Sequence, residues 1–171
     1  LTGDWSSDVC SSDLDEIGDL IHLADEYPIE VRFIEIMPIG EGTKYFKGGG
    51  LITSEQIIES FPELIEMPSS NMLQGSTAKL YKKVGSKGNV GFISPMSCKF
   101  CTSCNRIRLT SVGTIKPCLH SESEVDLKKF LNSEVGLLAA LKSSIYEKPK
   151  GHFMETDKHS RTHKKMFEIG G

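Results

Sequence analysis

The chain has 171 residues, enough for one ordinary domain or part of a larger one. Hydrophobic residues make up 38% and charged residues 25%, and 20 Lys and Arg against 23 Asp and Glu leave a net charge of −3, as expected of a soluble globular protein. Nothing global points to nucleic acid or to a membrane, so any anion site must come from local arginines and lysines. No apolar run approaches the ~20 residues of a spanning helix, and no basic stretch followed by an apolar core marks a signal peptide.

The first residues, LTGDWSSDVCSSDL, differ from the rest. They are rich in Ser and Asp, carry the only Trp (Trp5) and an isolated Cys10, and show no periodicity. Residues 1–14 are therefore expected to be foreign sequence, such as translated adaptor. From Asp15 the pattern turns regular. Ile17, Leu20, Ile21 and Ala24 recur at helical spacing, and Pro28 closes the segment. Ile29 to Ile36 is a β-rich apolar run, so helix then strand gives the rhythm of a parallel sheet. It ends at Met37-Pro38, and the C-terminal ends of such strands are where α/β folds meet ligands.

Gly40 to Gly50 reads as a loop with a glycine triplet. Thr53 and Gln56 form a capping-box pattern that opens a short helix stopped by Pro62. Lys79 to Val84 and Val90 to Ser94 alternate like the strands of a hairpin turned at Gly85 and Gly88-Asn89. Arg106 to Thr110 and Thr114 to Lys116 flank Val112-Gly113 as a second small β element. Two helices are expected next, one around Leu127, Phe130 and Leu131 and one from Val135 to Ile145. After Pro149 the chain is polar and is expected to be a mobile tail, ending Met166-Phe167-Glu168-Ile169-Gly170-Gly171.

Four of the five cysteines crowd into Cys98 to Cys118, within CKFCTSCNRIRLT and shortly beyond it. This clustering favours metal binding by reduced thiols and a cytoplasmic setting over a disulfide framework. Thiolates three residues apart can face one metal, because a tight turn carries both sulfurs to the same side. Cys101 and Cys104 supply such a pair, Cys118 arrives from further on, and Cys98 is a potential fourth ligand. The residues themselves leave two readings open. One is structural zinc, with His120 able to replace a thiolate. The other is an iron–sulfur cluster. Absence of a second C-x2-C weakens zinc. Cys104-Asn105-Arg106-Ile107-Arg108 reads as a strand leaving the cluster, with Arg106 and Arg108 on one face and Ile107 on the other. Two guanidiniums beside a metal suit an anionic or polar substrate, whereas a solvated basic edge would need no ligand.

These residues resemble a known family. Cys101-x2-Cys104-Asn105-Arg106-x-Arg108-Leu109-Thr110, then Gly113, Cys118-Leu119 and the terminal Gly170-Gly171, are similar to the C-terminal half of the GTP 3',8-cyclases of molybdenum cofactor biosynthesis. Val31-Arg32-Phe33-Ile34-Glu35-Ile36-Met37-Pro38 resembles a late barrel strand of the same family, and the likeness runs from about Asp15 to Gly171.

The resemblance implies an α/β fold: the last part of an incomplete TIM-like radical S-adenosylmethionine (SAM) barrel over 15–62, and an iron–sulfur and GTP-binding domain over 63–150. A tail over 151–171 would follow, mobile and ending in Gly-Gly. It implies a lyase with two [4Fe–4S] clusters. The first, on C-x3-C-x2-C, cleaves SAM to a radical that attacks the ribose of GTP. The second has three cysteine ligands and an open iron that takes guanine. Carried over, those ligands are Cys101, Cys104 and Cys118, and Arg106, Ile107 and Arg108 contact GTP. Arg32 helps to hold the triphosphate, Met37 contacts SAM, and Gly170 and Gly171 reach into the active site and are needed for turnover. The implied pathway partner is the downstream cyclic pyranopterin monophosphate synthase, and a homodimer is among the assemblies compatible with the family.

This chain departs from the family pattern in three places. No C-x3-C-x2-C occurs in it, so it is expected to be a fragment that does not perform the radical chemistry alone. Cys98 stands where histidine is usual and is read as a spectator. Lys164-Lys165 precede Met166 where arginine is commoner, keeping charge but losing the forked geometry. The rival readings are a non-enzymatic zinc-binding interaction module and the auxiliary-cluster domain of another radical SAM enzyme.

Overall fold

Ile17, Ile21 and Ala24 recur at four- and three-residue steps, and all three are buried along one face of α1 (Leu14–Glu26). The structure, a computed structural model, describes residues 14–47, 51–68, 77–157 and 159–169. Readings of residues 1–13, of the glycine triplet at 48–50 and of Gly170 and Gly171 lie outside the described residues. The chain divides into two units, one holding the described residues of 14–36 and 45–100, the other those of 37–44 and 101–169. Both the division expected after residue 62 and that expected after residue 150 fall inside a unit.

In the first unit α1 leads to β1 (Glu30–Ile34). The expected loop after it instead holds a short helix, α2 (Gly42–Lys47). Thr53 then caps α3 (Ser54–Ser60). Its hydroxyl accepts from the Gln56 N–H at 3.3 Å, and the Gln56 side chain accepts from the Thr53 N–H at 2.8 Å. β2 (Ile65–Glu66), β3 (Lys79–Lys82) and β4 (Asn89–Ile93) complete a sheet of order β1-β4-β3-β2.

The parallel sheet foreseen from the helix–strand rhythm is a mixed one. Only β1 and β4 run parallel; β3 pairs antiparallel with β4, and β2 with β3. The hairpin explains this, because β3 and β4 are joined by a turn too short for a crossover. Gly85 supplies its positive φ of 85°. Gly88 is fixed by close approach. A Cβ there would stand 2.0 Å from the Ile29 oxygen and 2.7 Å from that of Tyr27, while its N–H donates to Ala24 at 2.7 Å. Phe33 stacks on Phe92 at 5.6 Å and Tyr81 meets Phe92 edge-on at 5.4 Å, over a core of Ile17, Ile21, Ile57, Leu64 and Val90.

At the end of β1 the buried Glu35 carboxylate accepts from the N–H groups of Ser54 (3.2 Å), Met96 (3.0 Å) and Ser97 (2.9 Å), and from the Ser97 hydroxyl. One side chain thus ties the strand end, the first turn of α3 and the turn after β4 together. Burial opposes its ionisation, but these donors outweigh it and hold its pKa below the usual carboxylate value.

The second unit is built on a small antiparallel sheet of order β5-β6-β7: β5 (Arg108–Leu109), β6 (Thr114–Lys116) and β7 (Val125–Asp126). Gly113 turns the β5–β6 hairpin at φ 79°. Of the two helices expected next, the first is only a 3₁₀ turn, Leu127–Phe130, capped by Asp126; the second is α4 (Glu134–Tyr146), capped by Ser133. The segment after Pro149 carries α5 (Met154–Asp157) and a 3₁₀ turn, Met166–Ile169. Despite its polar composition it buries Met154 and Ile169 almost completely, at 1% and 0% exposure. Among the described residues no helix is long and apolar enough to cross a membrane.

Candidate functional site

Cys101 opens a single 3₁₀ turn, Cys101–Ser103, and the Cys104 N–H closes it by donating to the Cys101 oxygen at 3.3 Å. The hairpin that follows accounts for the return of Cys118. Arg108 pairs with Lys116 and Leu109 with Ile115. Continuing that register by two residues sets Arg106 across from Cys118, although regular pairing has ended there. Gly151 adjoins both sides of the set: a Cβ on it would meet the Cys101 Cβ at 3.8 Å, and it lines a cavity of about 220 Å³ together with Cys118.

The three cysteines are half-buried and, with Cys98, are free of disulfides. They do not stand as a finished cage: among the described residues no three Cys, His, Asp or Glu side chains converge as a metal-holding group. Their chemistry nevertheless fits a thiolate-bound group. Burial resists ionisation of Cys104, but the Arg106 N–H and the Lys148 ammonium overcome it and hold the thiol below its usual pKa. The Lys148 Nζ lies 3.2 Å from the Cys104 sulfur, 2.7 Å from the Cys104 oxygen and 2.7 Å from the Arg106 oxygen.

Lys148 also explains a departure from the sequence reading. The strand expected from Arg106 begins only at Arg108, because the carbonyls of Cys104 and Arg106 bond this ammonium rather than a neighbouring strand. Without a strand there is no strict alternation. Arg106, Ile107 and Arg108 line one open groove with Asn105 and Leu109.

Beyond Cys118 the ring of His120 meets that of His152 at 5.2 Å, and its Nδ1 lies 3.2 Å from the Ser160 hydroxyl. Burial first, then the charges of His152, Arg108 and Lys116, push the His120 pKa down to about 4, so it is neutral at pH 7. Lys116, 1% exposed, donates to the Ser121 oxygen and lies 3.5 Å from Glu124 Oε1. The other Glu124 oxygen accepts from Lys164 at 2.6 Å and from the Thr114 hydroxyl at 3.2 Å. Lys164, noted in the sequence only for its charge, is thus the tail's tie to the small sheet.

The other expected site residues are more scattered. Arg32 is on β1, half-exposed and ion-paired with Glu30, in the first unit. Met37 is half-buried and belongs to the second unit. Cys98 is exposed and belongs to the first unit, its N–H bonded to the Ser94 oxygen at 3.2 Å. Sequence reasoning missed Lys148, His152 and Glu124. Only for Lys148 was there a local signal, a lysine just past a helix end and followed by proline.

Comparison with known proteins gives two findings. The family described as Molybdenum Cofactor Synthesis C matches residues 29–154. A GTP 3',8-cyclase of Clostridium botulinum (strain Langeland / NCTC 10281 / Type F) is 55% identical over 157 residues, covering 92% of this chain and 48% of the relative. Its counterpart in Clostridium acetobutylicum is 49% identical over 156 residues, covering 91% and 48%. That of Alkaliphilus oremlandii is 44% identical over 158 residues, covering 92% and 48%. The chain spans about half the length of the curated relatives it matches.

Proposed function

Because the chain belongs to the Molybdenum Cofactor Synthesis C family, we propose that it supplies the substrate-binding half of a GTP 3',8-cyclase. The parent reaction converts GTP to (8S)-3',8-cyclo-7,8-dihydroguanosine 5'-triphosphate by radical SAM chemistry in the cytoplasm. Its product passes to cyclic pyranopterin monophosphate synthase. Residues 15–62 supply the last part of the incomplete barrel and residues 63–150 the iron–sulfur and GTP-binding domain.

Cys101, Cys104 and Cys118 would hold the second [4Fe–4S] cluster, and the chemistry it would supply is a Lewis-acidic iron for guanine. Cys98 is a bystander. Arg106 and Arg108 present forked donors along the groove that leaves the ligand turn, suited to a purine edge or a phosphate, with Ile107 as an apolar contact between them. Arg32 serves the triphosphate and Met37 contacts SAM. Gly170 and Gly171 complete the site. The N-terminal SAM cluster needs a C-x3-C-x2-C motif, which these residues do not contain.

The observation that carries this reading is Cys104 itself. Its thiol is held toward the thiolate by Arg106 and Lys148, in a turn that leads straight into the arginine groove. The test is metal and sulfide analysis of anaerobically purified protein, followed by GTP binding. Iron with acid-labile sulfide, lost in Cys101→Ala or Cys118→Ala, is expected. GTP binding weakened at least tenfold in Arg108→Ala is expected as well. One tightly bound zinc per chain, without sulfide, would sink it.

A further inference from the structure

Lys148 stands two residues past the end of α4, just after its C-cap Glu147, with its own N–H donating to the Ile145 oxygen at 3.3 Å. An ammonium has three N–H donors, and the structure gives this one three acceptors: the Cys104 sulfur at 3.2 Å and the oxygens of Cys104 and Arg106 at 2.7 Å each. Those acceptors span the junction between a metal-ligand turn and the two arginines. We infer that Lys148 is a positioning residue that locks the Cys104 sulfur and the Arg106–Arg108 segment into one frame, and through its bond to that sulfur sets the electron demand of the bound cluster. The inference rests on the cluster reading above and extends it to a residue outside the ligand set.

The physical content is twofold. A hydrogen bond to a ligand sulfur draws electron density from a cluster and raises its reduction potential. Two carbonyls held by one cation fix the backbone on both sides of Asn105, so the same side chain governs how the guanidiniums meet a nucleotide. Arginine in its place keeps the charge, but its planar fork cannot converge three donors from one nitrogen on these acceptors.

The experiment compares the full wild-type chain with Lys148→Met and Lys148→Arg after anaerobic reconstitution. Redox titration, iron retention against a chelator and circular dichroism are the readouts. For Lys148→Met a more negative midpoint potential and roughly 10- to 100-fold poorer iron retention are expected, with Lys148→Arg intermediate on both. A shift in thermal stability with an unchanged potential in both variants would mark Lys148 as merely structural and overturn the inference. Should Lys148→Met not fold, an unchanged potential in Lys148→Arg overturns it alone. A wild-type chain that binds no iron and sulfide would instead defeat the cluster reading, and this inference with it; that outcome is visible before any variant is compared.

Discussion

The two units of this molecule are held by different chemistry. The first buries Ile17, Ile21, Ile57, Leu64, Val90 and Phe92 against one another, with aromatic pairs at its centre. The second has fewer buried apolar side chains, among them Ile115, Met154 and Ile169, and relies on ammonium groups aimed at carbonyls and carboxylates. Lys116 reaches Ser121 and Glu124, Lys164 reaches Glu124, and Lys148 reaches Cys104 and Arg106. Apolar burial is indifferent to what binds nearby, whereas a fold wired by point charges leaves sulfur and guanidinium groups in defined electrostatic settings. In the second arrangement Arg106 and Lys148 hold the Cys104 thiol below its usual pKa against its burial.

The sharpest break falls in the first unit. Gly88→Ala would force a Cβ to within 2.0 Å of the Ile29 oxygen, which no side-chain motion relieves. A loss of more than about 3 kcal/mol is expected, read as lost hydrogen-exchange protection in β3 and β4. If the variant unfolds at the wild-type denaturant midpoint, the hairpin does not dock under α1 as described.

Next in size is Glu124→Ala in the second unit. It strands the buried Lys116 ammonium and releases Lys164. Breaking a fully buried pair costs 3–5 kcal/mol; since Glu124 is 20% exposed, about 2 kcal/mol is expected after discounting for solvent. Protection should fall in β6 and the segment around Lys164. Lys116→Met with Glu124→Leu should recover much of it, because apolar replacement of both partners removes the desolvation cost. A double variant no better than Glu124→Ala would place the loss elsewhere.

What the sequence conveyed divides along the same line. α1, the Thr53 capping box and the β3–β4 hairpin were legible because period, cap and turn residues are local signals. The cysteine trio and its arginines were legible as a motif. The roles of Lys148, His152 and Glu124 were not, because their partners include residues far along the chain (44 residues from Lys148 to Cys104, 40 from Glu124 to Lys164) and a single charged or imidazole side chain does not name a distant partner. The strand expected from Arg106 was overestimated for the same reason: β5 begins at Arg108, and the Cys104 and Arg106 carbonyls bond Lys148. The parallel sheet was half legible: the helix–strand rhythm pointed to parallel pairing, which β1 makes with β4, but the partner was not foreseen and the hairpin's antiparallel geometry decided the rest.

The smallest effect tests how much a buried charge adds to the first unit, whose other ion pairs, Arg32–Glu30 and Lys83–Asp25, are more exposed. Glu35 is its one buried carboxylate among the described residues, and four donors keep its pKa below the usual carboxylate value of about 4.5. A depressed carboxylate contributes stability that is fully present above the unfolded pKa and is lost as pH falls through the lower folded one. Wild-type stability should therefore decline below about pH 4.5, where Glu35→Gln, having no charge to lose, should decline less. At neutral pH that variant turns an amide N–H₂ toward backbone donors, and a cost of about 1–2 kcal/mol is expected. Urea unfolding at pH 7 and pH 3.5 measures both. Parallel pH profiles for the two proteins would mean that the Glu35 charge adds nothing to the stability of the first unit.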